Sequence, residues 1–299
     1  MSTNKKMPTS VSIIIPTFNA QNQLVKLLDK IKEQTITDYE LIIFDSSSKD
    51  DTVKIAKQYT DTVIVIPKSE FRHGGTRTKA AKISNGDLLI YLTQDALPYD
   101  THTLENIVHV FEDEKIGAAY GRQLPYPDEH LFGEHLRLFN YGQESYKRIY
   151  EDKEKFGIKT AFLSDSFAAY RRDTLNEIGW FQDDLNFGED MHAGARLLKA
   201  GYSLAYVADA KVFHSHSYTF KQEFWRYFET GKFHQQENWL LDEFGKPEGE
   251  GARYVKSELN FCLKRKKYHL IPLSIVLNFV KLFGYKCGKS FQQIQGSQK

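Results

Sequence analysis

Short apolar runs alternate with amphipathic segments along the first third of the chain. Residues 11–15 form a β-branched run, after which leucine and isoleucine recur at helical spacing from Leu24 to Ile31. This pattern predicts a strand, a loop and a helix. Three more apolar runs, each ending in a polar loop, predict strands at 39–44, 62–66 and 88–92. Strands that alternate with helices predict βαβ units, hence an α/β fold with a mostly parallel sheet and helices on both faces.

The second half of the chain is less regular. Four elements are predicted there: a strand at 117–121, an edge element at 161–171, a helix at 190–200 and a strand at 204–207. Residues 128–156 are polar and aromatic, and we interpret them as helical. Because no internal repeat or low-complexity linker interrupts the sequence, we expect one α/β unit with a C-terminal appendage.

The composition is that of a globular protein with a sizeable core. Of 299 residues, 41% are apolar, and 40 Lys and Arg stand against 39 Asp and Glu, which disfavours bulk disorder and a globally basic nucleic-acid-binding protein. Two cysteines, Cys262 and Cys287, are too few for a disulfide framework or a cysteine zinc site. The first ten residues lack the apolar core of a secretory signal, and the apolar run 270–280 is too short to cross a bilayer. We therefore expect a cytoplasmic protein with no membrane crossing.

Charge is distributed unevenly along the chain. Between residues 253 and 289, nine basic residues stand against one acid, Glu258, which predicts a separate functional part at the C-terminus. One interpretation is an amphipathic, peripheral element on anionic lipid of the inner membrane surface, where each basic residue contributes ~1 kcal/mol. The alternative is a helical hairpin that packs on the rest of the chain or forms a homodimer interface, with its lysines solvated.

Polar side chains follow several of the predicted strands. At these positions lie Thr17, Asn19, Asp45, Asp95, Glu189, Asp190 and His214. Ligands of such sheets bind beyond the carboxyl ends of the strands, where these loops are expected to converge. The first strand is not followed by G-x-G-x-x-G, and no G-x-x-x-x-G-K-[ST] occurs, which disfavours a nicotinamide dehydrogenase and a P-loop kinase.

The joint order of these motifs resembles family 2 glycosyltransferases of the GT-A fold, from residue 11 to about residue 218. The matching segments are 12–19 (SIIIPTFN), 42–50 (IIFDSSSKD), 75–81 (GTRTKAA), 93–96 (TQDA), 178–181 (IGWF), 188–190 (GED) and 212–214 (VFH). Three motifs are similar to bacterial rhamnosyltransferases that use dTDP-L-rhamnose: 71–77 (FRHGGTR), 93–96 and 214–218 (HSHSY). The resemblance implies a catalytic domain at 1–220, with a donor half at about 11–121 and an acceptor half at about 122–220, followed by a helical extension at 221–299.

The resemblance assigns the nucleotide-sugar donor to six side chains: Thr17, Asn19, Asp45, Arg77, Gln94 and Asp95. A carboxylate at Asp45 can accept a hydrogen bond from the ring N–H of a pyrimidine base, although Asp after a strand also commonly caps a turn. Arg77 stands at a predicted helix start, where phosphate or sugar oxygens can bind. An ordinary loop capped by Thr76 is the alternative.

A divalent metal ion, Mg²⁺ or Mn²⁺, is implied at Asp95. Members of the family usually carry D-x-D where this chain has Thr93-Gln94-Asp95, so one carboxylate is missing. An ion that also binds the donor's phosphates needs few protein ligands. The resemblance makes His214, ahead of His216, a further metal ligand.

The second acid of the Glu189-Asp190 pair is the catalytic base that the resemblance implies. Inverting transfer is a direct displacement, in which one carboxylate takes the proton of the attacking hydroxyl. The alternative is that both acids only stabilise the first turn of a helix, which is worth ~0.3–1 kcal/mol.

The function implied by the resemblance is inverting, metal-assisted transfer of L-rhamnose from dTDP-L-rhamnose. The implied acceptor is a hydroxyl of a polyprenyl-linked cell-surface polysaccharide precursor at the cytoplasmic face of the cell membrane. Another nucleotide sugar, such as a UDP-sugar, is the first alternative. A nucleotidyltransferase is disfavoured because residues 16–19 are not a Gly-rich, basic loop, and a non-catalytic sugar-binding protein is the third alternative.

Overall fold

A nine-stranded mixed sheet organises the computed structural model, which describes residues 10–185, 187–246 and 249–296. The strands are β1 (Val11–Thr17), β2 (Glu40–Asp45), β3 (Val63–Val65), β4 (Leu88–Leu92), β5 (Leu97–Pro98), β6 (Ile116–Leu124), β7 (Tyr146–Arg148), β8 (Phe167–Arg171) and β9 (Ser203–Phe213). They follow the order β3-β2-β1-β4-β8-β6-β9-β5, and β7 also pairs with β9.

The first four strands of this order pair in parallel, as the sequence predicts. β8 then runs antiparallel to both β4 and β6, and β6 and β9 are parallel again. The α/β fold class is confirmed, with a sheet that is mixed beyond β4. The expectation of an edge element at 161–171 is wrong. β8 lies inside the sheet, where Ala168 and Ala169 are fully buried between the two neighbouring strands.

Helices flank the sheet and form most of the C-terminal part. They are α1 (Gln21–Lys32), α2 (Thr52–Ala56), α3 (His73–Ile83), α4 (Thr103–His109), α5 (Leu131–Asn140), α6 (Lys153–Phe156), α7 (Arg172–Glu177), α8 (Glu189–Lys199), α9 (Phe220–Gln236), α10 (Asn238–Phe244), α11 (Glu250–Lys264) and α12 (Ile271–Gly296). The stretch 128–156, expected to be helical, contains α5, β7 and α6 instead. α1 buries Leu24, Leu28 and Ile31 in the core beside Ile13 and Ile43 of the sheet.

By its contacts the chain divides into two units. The sheet unit comprises the described parts of 10–124, 142–151 and 161–214. The helical unit comprises 125–141, 152–160 and the described parts of 215–296. The functional boundaries expected at residues 121 and 220 stay predictions.

In the helical unit, α9 and α12 approach each other closely at glycines. A Cβ added to Gly231 would lie 2.1 Å from the Tyr285 carbonyl oxygen, and one added to Gly288 would lie 1.9 Å from the Phe228 carbonyl oxygen. No larger side chain fits at these positions without moving a helix.

The face of α12 that packs inward is polar. Ser274 and Asn278 donate hydrogen bonds to the buried Glu258 carboxylate of α11 at 2.5 and 2.7 Å. Lys281, also buried, lies 3.6 Å from Glu223 of α9. The helix therefore points its hydrogen-bonding side chains into the protein.

The opposite face of α12 is apolar and exposed. It carries Ile275, Val276, Phe279, Leu282 and Phe283, and Phe279 is 66% exposed. By length and composition, Tyr268–Phe291 could cross a membrane, and 22% of its apolar window is buried. The expectation that this apolar run is too short to span a bilayer is therefore wrong on length, because the helix extends well past residue 280.

We predict that Gly231→Ala lowers the free energy of unfolding by about 1–3 kcal/mol, because the added methyl group does not fit between α9 and α12. In the absence of such a clash, alanine stabilises a helix relative to glycine by about 0.5–1 kcal/mol. A destabilising effect of Gly231→Ala therefore reports the packing, and a stabilising one the helix propensity. Gly251→Ala in α11 is the matched control, since a Cβ there meets nothing within 4 Å. Urea unfolding followed by circular dichroism measures both variants, and equal midpoints would contradict the close packing.

Candidate active site

The polar residues predicted to converge lie at one edge of the sheet. β1, β2 and β4 run in parallel and end at this edge with Thr17, Asp45 and the Thr93–Asp95 loop. β8 runs in the opposite direction, with Phe167 opposite Leu92, so the loop before β8 reaches the same edge. β9 ends there as well and leads into His214.

Asp45 and Thr17 form a closed hydrogen-bonded pair at the ends of β1 and β2. The Thr17 hydroxyl donates to the Asp45 carboxylate at 3.0 Å. Ser48 donates to the same carboxylate from its backbone N–H at 2.8 Å and from its hydroxyl at 2.5 Å. Asp45 thus caps the turn that follows β2, which is the alternative role that its sequence position allows. Its contact with a nucleotide base stays a prediction.

Asn19 and Gln94 order the neighbouring loops. Asn19 has a left-handed backbone, φ 48°; its N–H donates to the Ser48 hydroxyl at 2.7 Å, and its side-chain oxygen accepts from the Lys49 N–H at 2.9 Å. Gln94 accepts from the Phe18 N–H at 2.8 Å and donates to the Phe18 carbonyl at 3.3 Å. These contacts fix the loops after β1, β2 and β4 to one another; direct contact of either residue with a donor stays a prediction.

Asp95 and His214 form a pair at this edge. Nε2 of His214 lies 3.5 Å from Oδ1 of Asp95. Nδ1 of His214 lies 2.8 Å from the Gln123 side-chain oxygen, and the Gln123 amide donates to the Ser164 hydroxyl at 2.8 Å. Because an amide oxygen only accepts, Nδ1 carries a proton, and Nε2 is the ring nitrogen that faces Asp95.

This donor set fits a divalent metal ion. A histidine that ligates a metal commonly donates its second ring N–H to an oxygen acceptor, as His214 does to Gln123. The hydroxyl of Thr93, at the first position of the D-x-D motif, is buried and has no protein partner among the described residues. Two protein ligands and the phosphates of a donor can complete the coordination of Mg²⁺. His216 follows in the helical unit, and the preference for His214 over it stays a prediction.

Arg77 lies at the centre of a second, fully buried cluster in the sheet unit. Its Nη1 donates to the Glu189 carboxylate at 2.7 Å, and its Nε forms an ion pair with Asp165 at 2.9 Å. Tyr170 donates its hydroxyl to Asp165 at 2.6 Å. The Arg77 guanidinium is thus held by two carboxylates, and its predicted contact with donor phosphate stays a prediction.

Asp190 is held at the N-terminus of α8 by two backbone N–H groups. Met191 donates to one carboxylate oxygen at 2.7 Å, and Asp165 donates its backbone N–H to the other at 3.2 Å. Burial, and then the charge of Glu189, raises the pKa of Asp190 to about 7. A carboxyl group with such a pKa is suited to general base catalysis near neutral pH.

One loop connects the Asp95–His214 pair to Asp190. Residues 164–166 precede β8: Ser164 accepts from Gln123, which orients His214, and Asp165 donates its N–H to Asp190. The Ser166 carbonyl accepts from the N–H of Thr93 at 3.2 Å, at the start of the Asp95 loop. The Asp95–His214 pair and Asp190 are therefore linked by a continuous series of contacts through this loop; the roles of metal ligand and catalytic base stay predictions.

Comparison with known proteins identifies the family. A model named "Glycosyl transferase family 2" matches residues 12–179. Two similar relatives are the O-antigen chain rhamnosyltransferases WbaN of Salmonella anatum and RfbN of Salmonella typhimurium, 45% and 44% identical over 95% of this chain and 91% of theirs. The chain belongs to glycosyl transferase family 2. It is a glycosyltransferase, and the resemblance to the rhamnosyltransferases of this family is confirmed.

Solved structures support the GT-A fold of this family 2 enzyme. The mannosyltransferase PcManGT from Pyrobaculum calidifontis, in complex with GDP-Man and Mn²⁺, has a TM-score of 0.59 and 18% identity and covers 98% of this chain and 80% of its own. S. aureus TarS 1–349 has a TM-score of 0.56 and 14% identity, covering 95% of this chain and 92% of its own. These likenesses concern the fold alone.

Two residues of the candidate site, Gln123 and Asp165, are not predicted from the sequence. Gln123, which orients His214, lies near the end of β6 and resembles any polar residue of a strand end. Asp165 stands in the triplet Ser164-Asp165-Ser166 directly before an apolar strand. A polar triplet before a strand is a usable signal only when the direction of that strand is known.

Proposed function

We propose that this glycosyltransferase transfers L-rhamnose from dTDP-L-rhamnose, with inversion, to a hydroxyl of a lipid-linked polysaccharide precursor. The observation that carries the proposal is the loop 164–166, which joins the Asp95–His214 pair to Asp190. A donor diphosphate bound at Asp95 would then be linked through this loop to Asp190, the proposed base for the acceptor hydroxyl. The names of the 45% and 44% identical relatives support rhamnose as the transferred sugar.

In this reaction Asp190 accepts the proton of the acceptor hydroxyl. The hydroxyl oxygen attacks the anomeric carbon from the face opposite the diphosphate, the carbon–oxygen bond to the diphosphate breaks, and its electron pair leaves with dTDP. The backbone N–H groups of Met191 and Asp165 hold the Asp190 carboxylate in one orientation, which favours a productive approach.

Asp95 and His214 hold the divalent ion, Mg²⁺ or Mn²⁺, in our proposal. When bound, such an ion stabilises the charge that develops on the leaving diphosphate as a Lewis acid. Gln123 fixes the imidazole tautomer that presents Nε2 for coordination. Thr17 and Asp45, joined by their hydrogen bond, lie in our proposal beneath the bound donor. The contacts of Asn19 and Gln94 hold the surrounding loops in place.

An apolar pocket in the helical unit supports a lipid-linked acceptor. The pocket has a volume of about 360 Å³. Its apolar lining residues are Leu131, Phe132, Leu136, Tyr218, Leu270, Leu273 and Leu277. Small-molecule pockets of this size and lining favour apolar ligands, and we assign it to the first isoprene units of a polyprenyl carrier.

The exposed apolar face of α12 supports attachment to a membrane surface. Moving a large apolar side chain out of water contributes about 1.5–3 kcal/mol, and five such side chains lie on this face. Lys264, Arg265, Lys266 and Lys267 stand exposed immediately before the helix, and no acid follows Glu258 in the sequence. An anionic lipid surface complements both the apolar face and the basic cluster, and we place the enzyme on the cytoplasmic face of the membrane as a peripheral protein.

We predict that Asp190→Asn reduces rhamnosyl transfer by roughly 10²–10⁴-fold, because the amide cannot take the proton of the acceptor. Donor binding is expected to persist, since the substitution preserves shape. Turnover is measured by release of dTDP, and donor binding by calorimetry. Asp173→Asn, an exposed acid of the same unit, is the control with normal turnover. Transfer by Asp190→Asn at the wild-type rate would eliminate Asp190 as the base.

We predict that metal-dependent donor binding identifies both the donor and the ion. A thermal-shift panel of dTDP-rhamnose, UDP-sugars and GDP-mannose, each with and without Mg²⁺ or Mn²⁺, is expected to respond selectively to dTDP-rhamnose with metal. Asp95→Asn should weaken that response by roughly tenfold or more in apparent affinity, while Asp209→Asn, an exposed acid on β9, should leave it unchanged. A response to a UDP-sugar alone would reassign the donor.

We predict that the protein co-sediments with phosphatidylcholine–phosphatidylglycerol vesicles more strongly than with pure phosphatidylcholine vesicles. Phe279→Asp should reduce this binding at least tenfold, since it places a charge on the face that contacts lipid. Val25→Asp, at an exposed apolar position of α1, is the matched control. Loss of a dimer in Phe279→Asp, with no vesicle binding by the wild type, would instead support the homodimer interface.

A further inference from the structure

Three carboxyl groups of the sheet unit lie around a single guanidinium, and two of them bind it directly. Arg77 is bound directly to Asp165 and Glu189, and Asp190 is bound to the backbone of Asp165. Arg77 and Asp165 are 5% and 2% exposed. If every group were ionised, the cluster would carry two negative charges in excess, with Arg77, Asp165 and Glu189 buried, which is unfavourable.

The members of this cluster come from separate elements that meet around Asp190. Arg77 reaches in from α3, Asp165 from the loop before β8, and Glu189 from the first turn of α8. The carbonyl of Arg77 also accepts a hydrogen bond from the Tyr91 hydroxyl of β4 at 3.0 Å. Arg77 therefore pins the loop that carries Asp165 to the helix end that carries Asp190.

The excess charge makes Asp165 and Asp190 compete for a proton. Burial raises the pKa of Asp165 to about 7, with Arg77 lowering it and Asp190 raising it further. The pKa of Asp190 is also about 7, raised by burial and by Glu189. When the Asp190 carboxylate takes a proton, the excess of negative charge falls from two to one, so a charged Asp165 increases the proton affinity of Asp190.

Three further titratable groups of the cluster, His73, Tyr91 and Tyr170, are neutral near pH 7. His73 of α3 lies 3.9 Å from Glu189, and burial followed by the charge of Arg77 lowers its pKa to about 4. Burial raises the pKa of Tyr91 of β4 and of Tyr170 of β8 well above the ordinary value. His192, one turn along α8 from Gly188, is also buried. Among the described residues, the groups whose charge acts on Asp190 are therefore Arg77 and the carboxyl groups of Glu189 and Asp165.

We propose that Asp165 is a positioning residue: its backbone N–H, in a loop that Arg77 holds in place, orients the Asp190 carboxylate, and its side-chain charge increases the affinity of Asp190 for the acceptor proton. This inference rests on the proposed role of Asp190 as the base. In this proposal Asp165 contacts neither the donor nor the acceptor. Its backbone N–H holds the carboxylate, and its side-chain charge makes Asp190 a stronger base than burial alone would.

The test is the pH dependence of transfer by Asp165→Asn. Removal of the Asp165 charge is expected to move the acid limb of the rate profile to lower pH by about one unit, because Asp190 then loses its proton more easily. The rate on the plateau above that limb is expected to fall a few-fold, since a weaker base is a less efficient one. Asp173→Asn is the control with an unchanged profile. A rate that falls equally at every pH, with an unmoved limb, would reduce Asp165 to a structural role and overturn the proposal.

Tyr170→Phe is a milder variant that tests the same idea. It removes the hydrogen bond to the Asp165 carboxylate, raises the pKa of Asp165 and leaves the shared proton there. The acid limb is again expected to move to lower pH, by a smaller amount. If Asp165→Asn does not fold, Tyr170→Phe becomes the test. An acid limb at the wild-type pH in Tyr170→Phe would then overturn the proposal.

Carboxyl ¹³C NMR of the ligand-free protein separates this inference from the proposed function. Wild-type protein should show two aspartate carboxyl groups that titrate near pH 7, while Asp165→Asn should show one, with its midpoint at lower pH. An unchanged Asp190 midpoint would overturn the inference without any assay of transfer. Failure of dTDP-rhamnose as a donor would overturn the proposed substrate and leave the NMR titration as the test of the cluster.

Discussion

The reversed direction of β8 is the constraint on which the candidate active site depends. In a wholly parallel sheet, the loop before a central strand would lie at the opposite edge from the strand ends. Because β8 runs antiparallel between β4 and β6, residues 164–166 reach the edge where β4 and β9 end. That position lets Ser164 bind Gln123, which orients His214, and lets Asp165 bind Asp190, the proposed base.

Two buried polar networks in this protein differ in their charge balance. We interpret the balanced one, around Glu258, as structural and the unbalanced one, around Arg77, as functional. In the helical unit, Glu258 accepts hydrogen bonds from the neutral donors Ser274, Asn278 and Tyr254. One buried carboxylate with several donors is well satisfied and fixes the packing of α11 and α12. The cluster around Arg77 has more acids than one guanidinium can neutralise, an arrangement that contributes little to stability. We propose that the function of this cluster is to raise the proton affinity of Asp190.

The parallel half of the fold and most of the candidate site follow from a simple pattern in the sequence. Thr17, Asp45 and Asp95 each stand just after an apolar run, and that pattern places them at a common edge whatever the details of packing. Asp165 precedes its strand, so its position depends on the direction of β8, which no local pattern reveals. The resemblance implies donor contacts for Arg77, but it does not reveal the two acids that bind the guanidinium, which lie about 90 and 110 positions further along the chain.

The orientation of α12 could not be derived from hydrophobic periodicity, because that method assumes water outside the protein. In water, a helix with Ser274 and Lys281 on one side and Phe279 and Phe283 on the other would bury the phenylalanines. Here the hydrogen bonds to Glu258 and the close contacts of Gly284 and Gly288 hold the polar and small side inward. The apolar side is then left exposed, and contiguous exposed apolar patches commonly mark interaction sites. In the proposed function the two roles of α12 fit together, since the helix whose exposed face is proposed to contact the bilayer also lines the pocket proposed for the lipid chain.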